Sequence, residues 1–185
     1  LDCAGECGGA AMEDDCGVCN GDGPDMCWDG SYECDESDCP DIPVGTVEVL
    51  YNSDTPIAGF QFNVDGVVIT SSSGGAAGAA GFMVSSSATT VIGFSLSGST
   101  IPAGEGVLVV LEVEGDVAAA CLSDVIISDA AGAALDNMVE DCLTITYMAG
   151  CMDMDACNYN VDATGDDGSC IYAEENFDCE GNCLL

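Results

Sequence analysis

The sequence contains no lysine, no arginine and no histidine, against 34 aspartates and glutamates, for a formal net charge of −34. No side-chain ion pair can form. Nucleic acid is excluded as a partner, because nothing in the chain neutralises a phosphate, and an anionic membrane surface is disfavoured on the same ground. The usual general bases, Schiff-base amines and oxyanion clamps are missing too, so no enzymatic activity is expected. A carboxylate pair suffices for glycoside hydrolysis, but Glu105, Glu112, Glu114 and Asp116 fall at expected strand ends and outer faces. Aromatic residues make up 6% of the chain and Trp28 is the one tryptophan, which leaves little to stack a sugar. Apolar runs are short, as in Val107–Leu111, so no membrane insertion is expected. No N-x-S/T sequon occurs, and there is no site for trypsin. No leader of the signal type is present, so the sequence reads as a mature chain or as a segment of a longer one.

What the chain has instead is acid and cysteine. Adjacent surface carboxylates repel by roughly 0.5–1 kcal/mol in a water-like dielectric, and salt screens this only beyond about 8 Å. Dense acids without partners therefore call for external cations. The 14 cysteines, even in number and without histidine, point to disulfides in an oxidising, secreted or extracellular setting. Cys3/Cys7 and Cys16/Cys19 also have a spacing that zinc accepts, but the acids crowding them favour disulfides.

These residues are unevenly spread. Residues 1–43 hold 13 acids and seven cysteines: Cys3, Cys7, Cys16, Cys19, Cys27, Cys34 and Cys39. Residues 148–185 hold nine acids and five cysteines: Cys151, Cys157, Cys170, Cys179 and Cys183. The middle, 44–147, holds 12 acids and only Cys121 and Cys142. Three segments follow: a core-forming middle between two cysteine- and aspartate-rich modules, bounded by CPDIP and YMAGC.

The middle reads as strands. Val47, Val49 and Tyr51 share one face. Phe60, Phe62 and Val64 alternate with Gln61 and Asn63. Val107, Val109, Leu111 and Val113 oppose Glu112 and Glu114. Further strands are expected at 66–70, 81–85, 89–96, 122–128 and 143–147. Period-two alternation with Gly, Asp or Pro breaks predicts an all-β, antiparallel β-sandwich. The run SSSGGAAGAAG (71–81) reads as a loop of small residues with at most one helical turn, or as a tight packing surface. Cys121 and Cys142 lie equidistant from a turn at Ala131–Gly132, which predicts opposed positions in a hairpin and a disulfide between them.

The stretches PIAGFQFNVDG and GFSLSGSTIPAGEGVLVVLEVEG resemble the cohesin-like, jelly-roll β-sandwich modules of secreted bacterial surface proteins, over about residues 44–147. The resemblance implies extracellular assembly. DCAGECGGAAMEDDCGVCNGDG resembles the short Cys/Asp-rich repeats found beside thrombospondin type 3-like calcium repeats. GCMDMDACNYNVDATGDDGSC, with FDCEGNC after it, looks like a companion repeat.

Calcium takes six to eight oxygens from carboxylates, amides and backbone carbonyls on tight loops. The C-terminal module offers Asn158, Asn160, Asp162, Thr164 and Asp166 at alternating positions, then Asp167. A Cys157–Cys170 bond would hold that loop closed. The N-terminal module offers Asn20, Asp22, Asp25, Asp29, Asp35 and Asp38. Both modules are too small to fold on a core alone and need disulfides or metal. The frame D-C-x-G-x-C occurs at Asp2–Cys7 and again at Asp178–Cys183, so copies of the chain are expected to join head to tail. The expected role is a structural subunit or repeat of an extracellular filament stabilised by calcium and disulfides. The alternative is a cell-surface adhesion module that binds a carbohydrate or a surface partner. A halophilic source would explain the acid excess but not the cysteines.

Overall fold

Among residues 2–42 a single side chain, Cys27, is buried. A segment without an apolar core is held by covalent bonds instead, and Cys3–Cys19, Cys16–Cys34 and Cys27–Cys39 supply three. Regular structure here is sparse in the computed structural model, which describes residues 2–183. The short strands β1 (Asp25–Met26) and β2 (Tyr32–Glu33) pair antiparallel, and a 3-10 turn spans Glu36–Asp38. The Trp28 indole N–H donates to the Pro40 carbonyl at 2.8 Å. The chain divides into two compact units, Leu1–Ile42 and Pro43–Leu185.

The second unit is built on alternation. It contains β3 (Val44–Ser53), β4 (Gly59–Asp65), β5 (Val68–Ser73), the short helix α1 (Gly75–Ala79), β6 (Met83–Ser86), β7 (Thr90–Phe94), β8 (Gly104–Glu114) and β9 (Cys121–Ser128). Then come β10 (Ala134–Leu135), β11 (Met138–Glu140), β12 (Thr144–Tyr147), β13 (Ala149–Gly150) and β14 (Gly165–Asp166). Two five-stranded sheets result, in the orders β10-β9-β4-β7-β6 and β11-β12-β3-β8-β5. Their apolar faces form one core that contains Val47, Val49, Phe60, Phe62, Val64, Val91, Leu111 and Ile127. Phe62 is fully buried and stacks on Phe60 at 5.9 Å, and Phe60 stacks on Phe82 at 6.1 Å. Each such side chain contributes about 1.5–3 kcal/mol by leaving water.

The all-β class is as the pattern predicts, with three departures in detail. The sheets are not wholly antiparallel: β12 pairs with β3 in parallel, Ile145 opposite Tyr51. The hairpin β11–β12 joins the edge of β3 through its second strand. The apolar face of β8 is Leu108, Val109, Leu111 and Val113, with Val107 only half-buried. The register against β3 slips between Val49 and Leu50, which face Val109 and Val107. Leu108 is the extra residue of that bulge and turns inward beside Val109. Third, the small-residue run forms the end of β5 and then α1, with Ala77 fully buried. Gly75 has φ +63° and lies against the Leu108 carbonyl, where a Cβ would collide with backbone, so only glycine lets α1 sit this close to β8.

The C-terminal segment continues directly from β12. β13 pairs in parallel with β14. Asp54 Oδ2 accepts from the Ala149 N–H at 2.8 Å, Thr164 Oγ1 from the Met148 N–H at 3.0 Å, and the Tyr147 ring packs on Gly165. Cys151–Cys170 and Cys157–Cys179 close the segment.

Candidate functional site

One loop recurs in this chain. In D-x-x-G-x-C at 2–7, 14–19 and 178–183, the aspartate N–H donates to the carbonyl four residues on, and the glycine N–H donates back to the aspartate carbonyl. The glycines, Gly5, Gly17 and Gly181, have φ between +78° and +86°. The aspartate carboxylate fills the loop's interior. Asp2 accepts from the N–H of Glu6 and of Ala11, Asp14 from Val18, Cys16 and Gly23, and Asp178 from Asn182 and Glu180. Hydrogen bonds to the charged form hold all three carboxyls below the usual range, led by Glu6 N–H for Asp2, Val18 N–H for Asp14 and the Asn182 side chain for Asp178. Asp129, with Gly132 three residues on, builds the same loop between β9 and β10. Sequence reading found the frame at 2–7 and 178–183 only. The spacing of Asp and Gly alone, without the cysteine, finds the other two.

The expected metal ligands are spread over several local turns. Among the described residues no three carboxylates or thiols gather as a metal site. In the N-terminal unit Asn20 lies in the left-handed region at φ +56° and its N–H donates to Met12. Asp25 sits in β1 opposite Glu33, and Asp22 lies between the Asp14 loop and β1. Asp29 accepts from the Ser31 hydroxyl at 2.6 Å and its N–H at 2.9 Å, which lowers its pKa. Asp35 and Asp38 belong to the 3-10 turn, where the Asp38 N–H donates to the Asp35 carbonyl.

In the C-terminal module the amide of Asn158 bridges Ile171 N–H and the Ser169 carbonyl, and Asn160 accepts from Asp162 N–H. Asp166 accepts from Gly168 N–H, and Asp167 from Ser169 N–H with a lowered pKa. The Asn160, Asp166 and Asp167 bonds are Asx turns, which use the same residue types as a calcium loop. Each of these oxygens that accepts a backbone N–H keeps a further lone pair, so the turns neither supply nor exclude a calcium cage. Asp153, absent from the expected set, accepts from Asp155 N–H and from the Tyr172 hydroxyl at 2.7 Å, which lowers its own pKa and raises that of Tyr172.

The thiols pair differently from the local reading at one point. Cys157 bonds Cys179, and Cys170 bonds Cys151; no Cys157–Cys170 bond forms. The Asn158 amide bonds and Cys157 N–H to Ile171 carry out the closure that bond would have provided. Cys121–Cys142 is bonded, with Cα atoms 4.4 Å apart, but not across a hairpin ladder. β10 follows β9 for two residues only, and Cys142 lies in the turn between β11 and β12. The bond therefore ties one sheet to the other. Cys3, Cys16 and Cys19 are all in disulfides, which leaves no thiolate pair for zinc. Cys7 and Cys183 are free and exposed. Both occupy the last position of the recurring loop, where Cys19 in the middle copy is bonded to Cys3.

A cleft opens where the C-terminal module lies over the outer face of β3, β12 and β11. It has a volume of about 390 Å³ and is lined by Asn52, Glu140, Thr146, Asp162 and Thr164, with Met138, Met148, Val161 and Ala163 as apolar walls. Thr146 is 4% exposed, and its hydroxyl has no hydrogen-bond partner. The expected sandwich acids lie elsewhere: Glu112 accepts from the Ser71 hydroxyl, and Asp116 caps a 3-10 turn through Ala118 N–H. No described helix is long and apolar enough to cross a membrane. Compared with known proteins, the chain matches no family model, no curated protein and no solved structure.

Proposed function

We propose that this chain is a structural subunit, or one repeat, of an extracellular fibre stabilised by disulfides and divalent cations, in which copies join through their recurring loops. One observation carries the reading. Two exposed thiols, Cys7 and Cys183, stand at the loop position that the middle copy of the loop uses for a disulfide. An exposed pair of this kind is matched to a second copy: Cys183 of one chain to Cys7 of the next. Joining them removes two protons and two electrons, which a small-molecule disulfide accepts by exchange as it is reduced to two thiols. Because the two positions differ, the contact is heterologous and grows an open filament. The cohesin-like resemblance of the middle segment and the Cys/Asp-rich repeats supports the same setting. No catalytic role is part of this reading, since the chain lacks every side-chain cation.

A second reading, a surface adhesion module, is favoured by one feature. Ile126, Ile92, Phe94 and Met83 are exposed on the outer face of β9, β7 and β6, where they form an apolar stripe.

The experiment is oxidative assembly with a glutathione redox couple, followed by gel electrophoresis with and without reductant and by electron microscopy. The fibre reading expects a ladder of covalent multimers that reductant collapses, and chains capped at dimers in Cys7→Ser and in Cys183→Ser. Compact monomers at high concentration, with both thiols still free under oxidant, would overturn it.

A further inference from the structure

We propose that the cleft between the C-terminal module and the outer face of β3, β12 and β11 is a binding site for a hard divalent cation of the calcium class, held by Glu140, Asp162, Asn52 and Thr146. The argument begins with register. Thr146 on β12 is directly opposite Asn52 on β3 and Met138 on β11, and Thr144, two residues back on the same face, is opposite Glu140. Opposed residues on one face have Cβ atoms about 4.5–5.5 Å apart and diagonal ones about 7–8 Å. Thr146 thus stands between Asn52 and Glu140, one on each strand flanking β12, and an ion over Thr146 would be met from both sides, directly or through water. The C-terminal module brings Asp162 over them, anchored by the Thr164 to Met148 hydrogen bonds on one side of it and by Asn160 to Cys151 on the other.

Two observations separate this cleft from the other acid-rich surface. The first is the Thr146 hydroxyl, 4% exposed and unpartnered. A buried hydroxyl without a partner is costly, and Thr146 is among the residues lining a cavity of about 390 Å³ that is large enough for an ion and several waters. The second is what the acids do. Asp2, Asp14, Asp29, Asp153, Asp167 and Asp178 are engaged by N–H or O–H donors. Glu140 and Asp162, like many other acids of the chain, accept no such bond, but these two line one cleft together with an unpartnered hydroxyl.

Two carboxylates balance a divalent charge. A hydroxyl and an amide carbonyl add neutral oxygens, and water completes the six to eight that calcium takes. Magnesium, which demands a tighter octahedron and sheds water reluctantly, suits a wide cleft with mixed donors less well. The site would clamp the C-terminal module to the sandwich within one chain. It does not depend on copies assembling.

The test is calorimetric titration of the full chain with calcium chloride in about 0.15 M salt, where surface charges are screened beyond about 8 Å, alongside thermal melts with and without calcium. One calcium per chain is expected to stand out from diffuse uptake. Asp162→Asn and Glu140→Gln should each weaken it at least about tenfold, as loss of a ligand charge from a calcium site does. Asp167→Asn, outside the cleft, should leave it unchanged. Thr146→Val supplies the readout a folding defect cannot mimic. It replaces an unpartnered buried hydroxyl with a methyl group, so it should raise the melting temperature of the calcium-free protein while reducing the rise that calcium produces. Diffuse uptake without a stoichiometric step, equal weakening by Asp167→Asn, or a Thr146→Val variant that responds to calcium as the parent does would each overturn the proposal.

Discussion

Removing the Cys121–Cys142 bond tests how the two sheets of the second unit are held. The bond closes a loop of 21 residues. In the chain-entropy treatment, closing such a loop removes about 11 cal/mol/K from the unfolded chain, or about 3.3 kcal/mol at 25 °C. The unit spans about 140 residues, for which an unfolding entropy near 0.3 kcal/mol/K converts that loss into a fall of about 11 °C in melting temperature. Cys142 adds a second term. It lies at φ +62°, in the left-handed region that costs a residue with a Cβ roughly 1–2 kcal/mol. Cys121→Ala/Cys142→Ala keeps that strain and loses the bond. Cys121→Ala/Cys142→Gly loses the bond and relieves the strain, so it should recover about 1 kcal/mol, some 3 °C. Differential scanning calorimetry of the oxidised double variants reads both shifts without introducing a free thiol. Hydrogen exchange supplies the local check, because Leu122 N–H donates to the Cys142 carbonyl at 2.9 Å and should be the first amide of β9 to lose protection. A double alanine variant that melts within about 2 °C of the parent would show that the sheets hold each other without the bond, and the reasoning would be refuted.

The core and the loops yield two further expectations. Gly93 is buried on β7 with the Phe60 ring where its side chain would be, so Gly93→Ala should lower urea stability by about 1–3 kcal/mol through overpacking, while Gly78→Ala, with open space on α1, should raise it by up to about 1 kcal/mol. Equal effects at both sites would contradict the packing account. Asp2, Asp14 and Asp178 have pKa values lowered in the fold. Their contribution is therefore complete above the unfolded value of about 3.9 and is lost as pH falls through the lower folded values. Carboxylate NMR titration should find all three below about 3.9, with exchange of the Glu6, Val18 and Asn182 amides accelerating only in that acid range; titration at or above it would count against the loop assignment.

Strands were the most legible part of the sequence because one face of each is buried, and burial writes itself as alternation. The Phe60-Gln61-Phe62-Asn63-Val64 stretch is read correctly residue by residue. Alternation fails at Leu108, where a bulge inserts one residue and inverts the parity, and nothing in an unbroken run of Val and Leu marks the place. The Cys121–Cys142 pair was legible from spacing although the path between the two cysteines was not. Spacing records that two residues meet, whereas the route depends on β10 leaving β9 after two pairs. The exchange of partners among Cys151, Cys157, Cys170 and Cys179 has no local signal, since each bond spans 19 or 22 residues of irregular chain. The candidate cleft was hidden for a different reason. Thr146 and Asn52 read as ordinary strand residues, and only the parallel pairing of β12 with β3 puts them side by side.

The acids were the least legible part of the sequence because aspartate has two ways to settle its charge, and sequence does not distinguish them. One is a dissolved cation. The other is the backbone: a tight turn points several N–H groups inward, and a carboxylate that accepts two or three of them is stabilised without any positive side chain. In a chain lacking lysine, arginine and histidine the second route is the one positive field the polypeptide makes for itself. The recurring loops of Asp2, Asp14 and Asp178 are built around it. This divides the acids by function. Those that begin a loop are already compensated, so removal of divalent ions should leave the loops and their disulfides standing. Glu140 and Asp162 have no such donors, and the module junction where they meet is where the proposed ion would act.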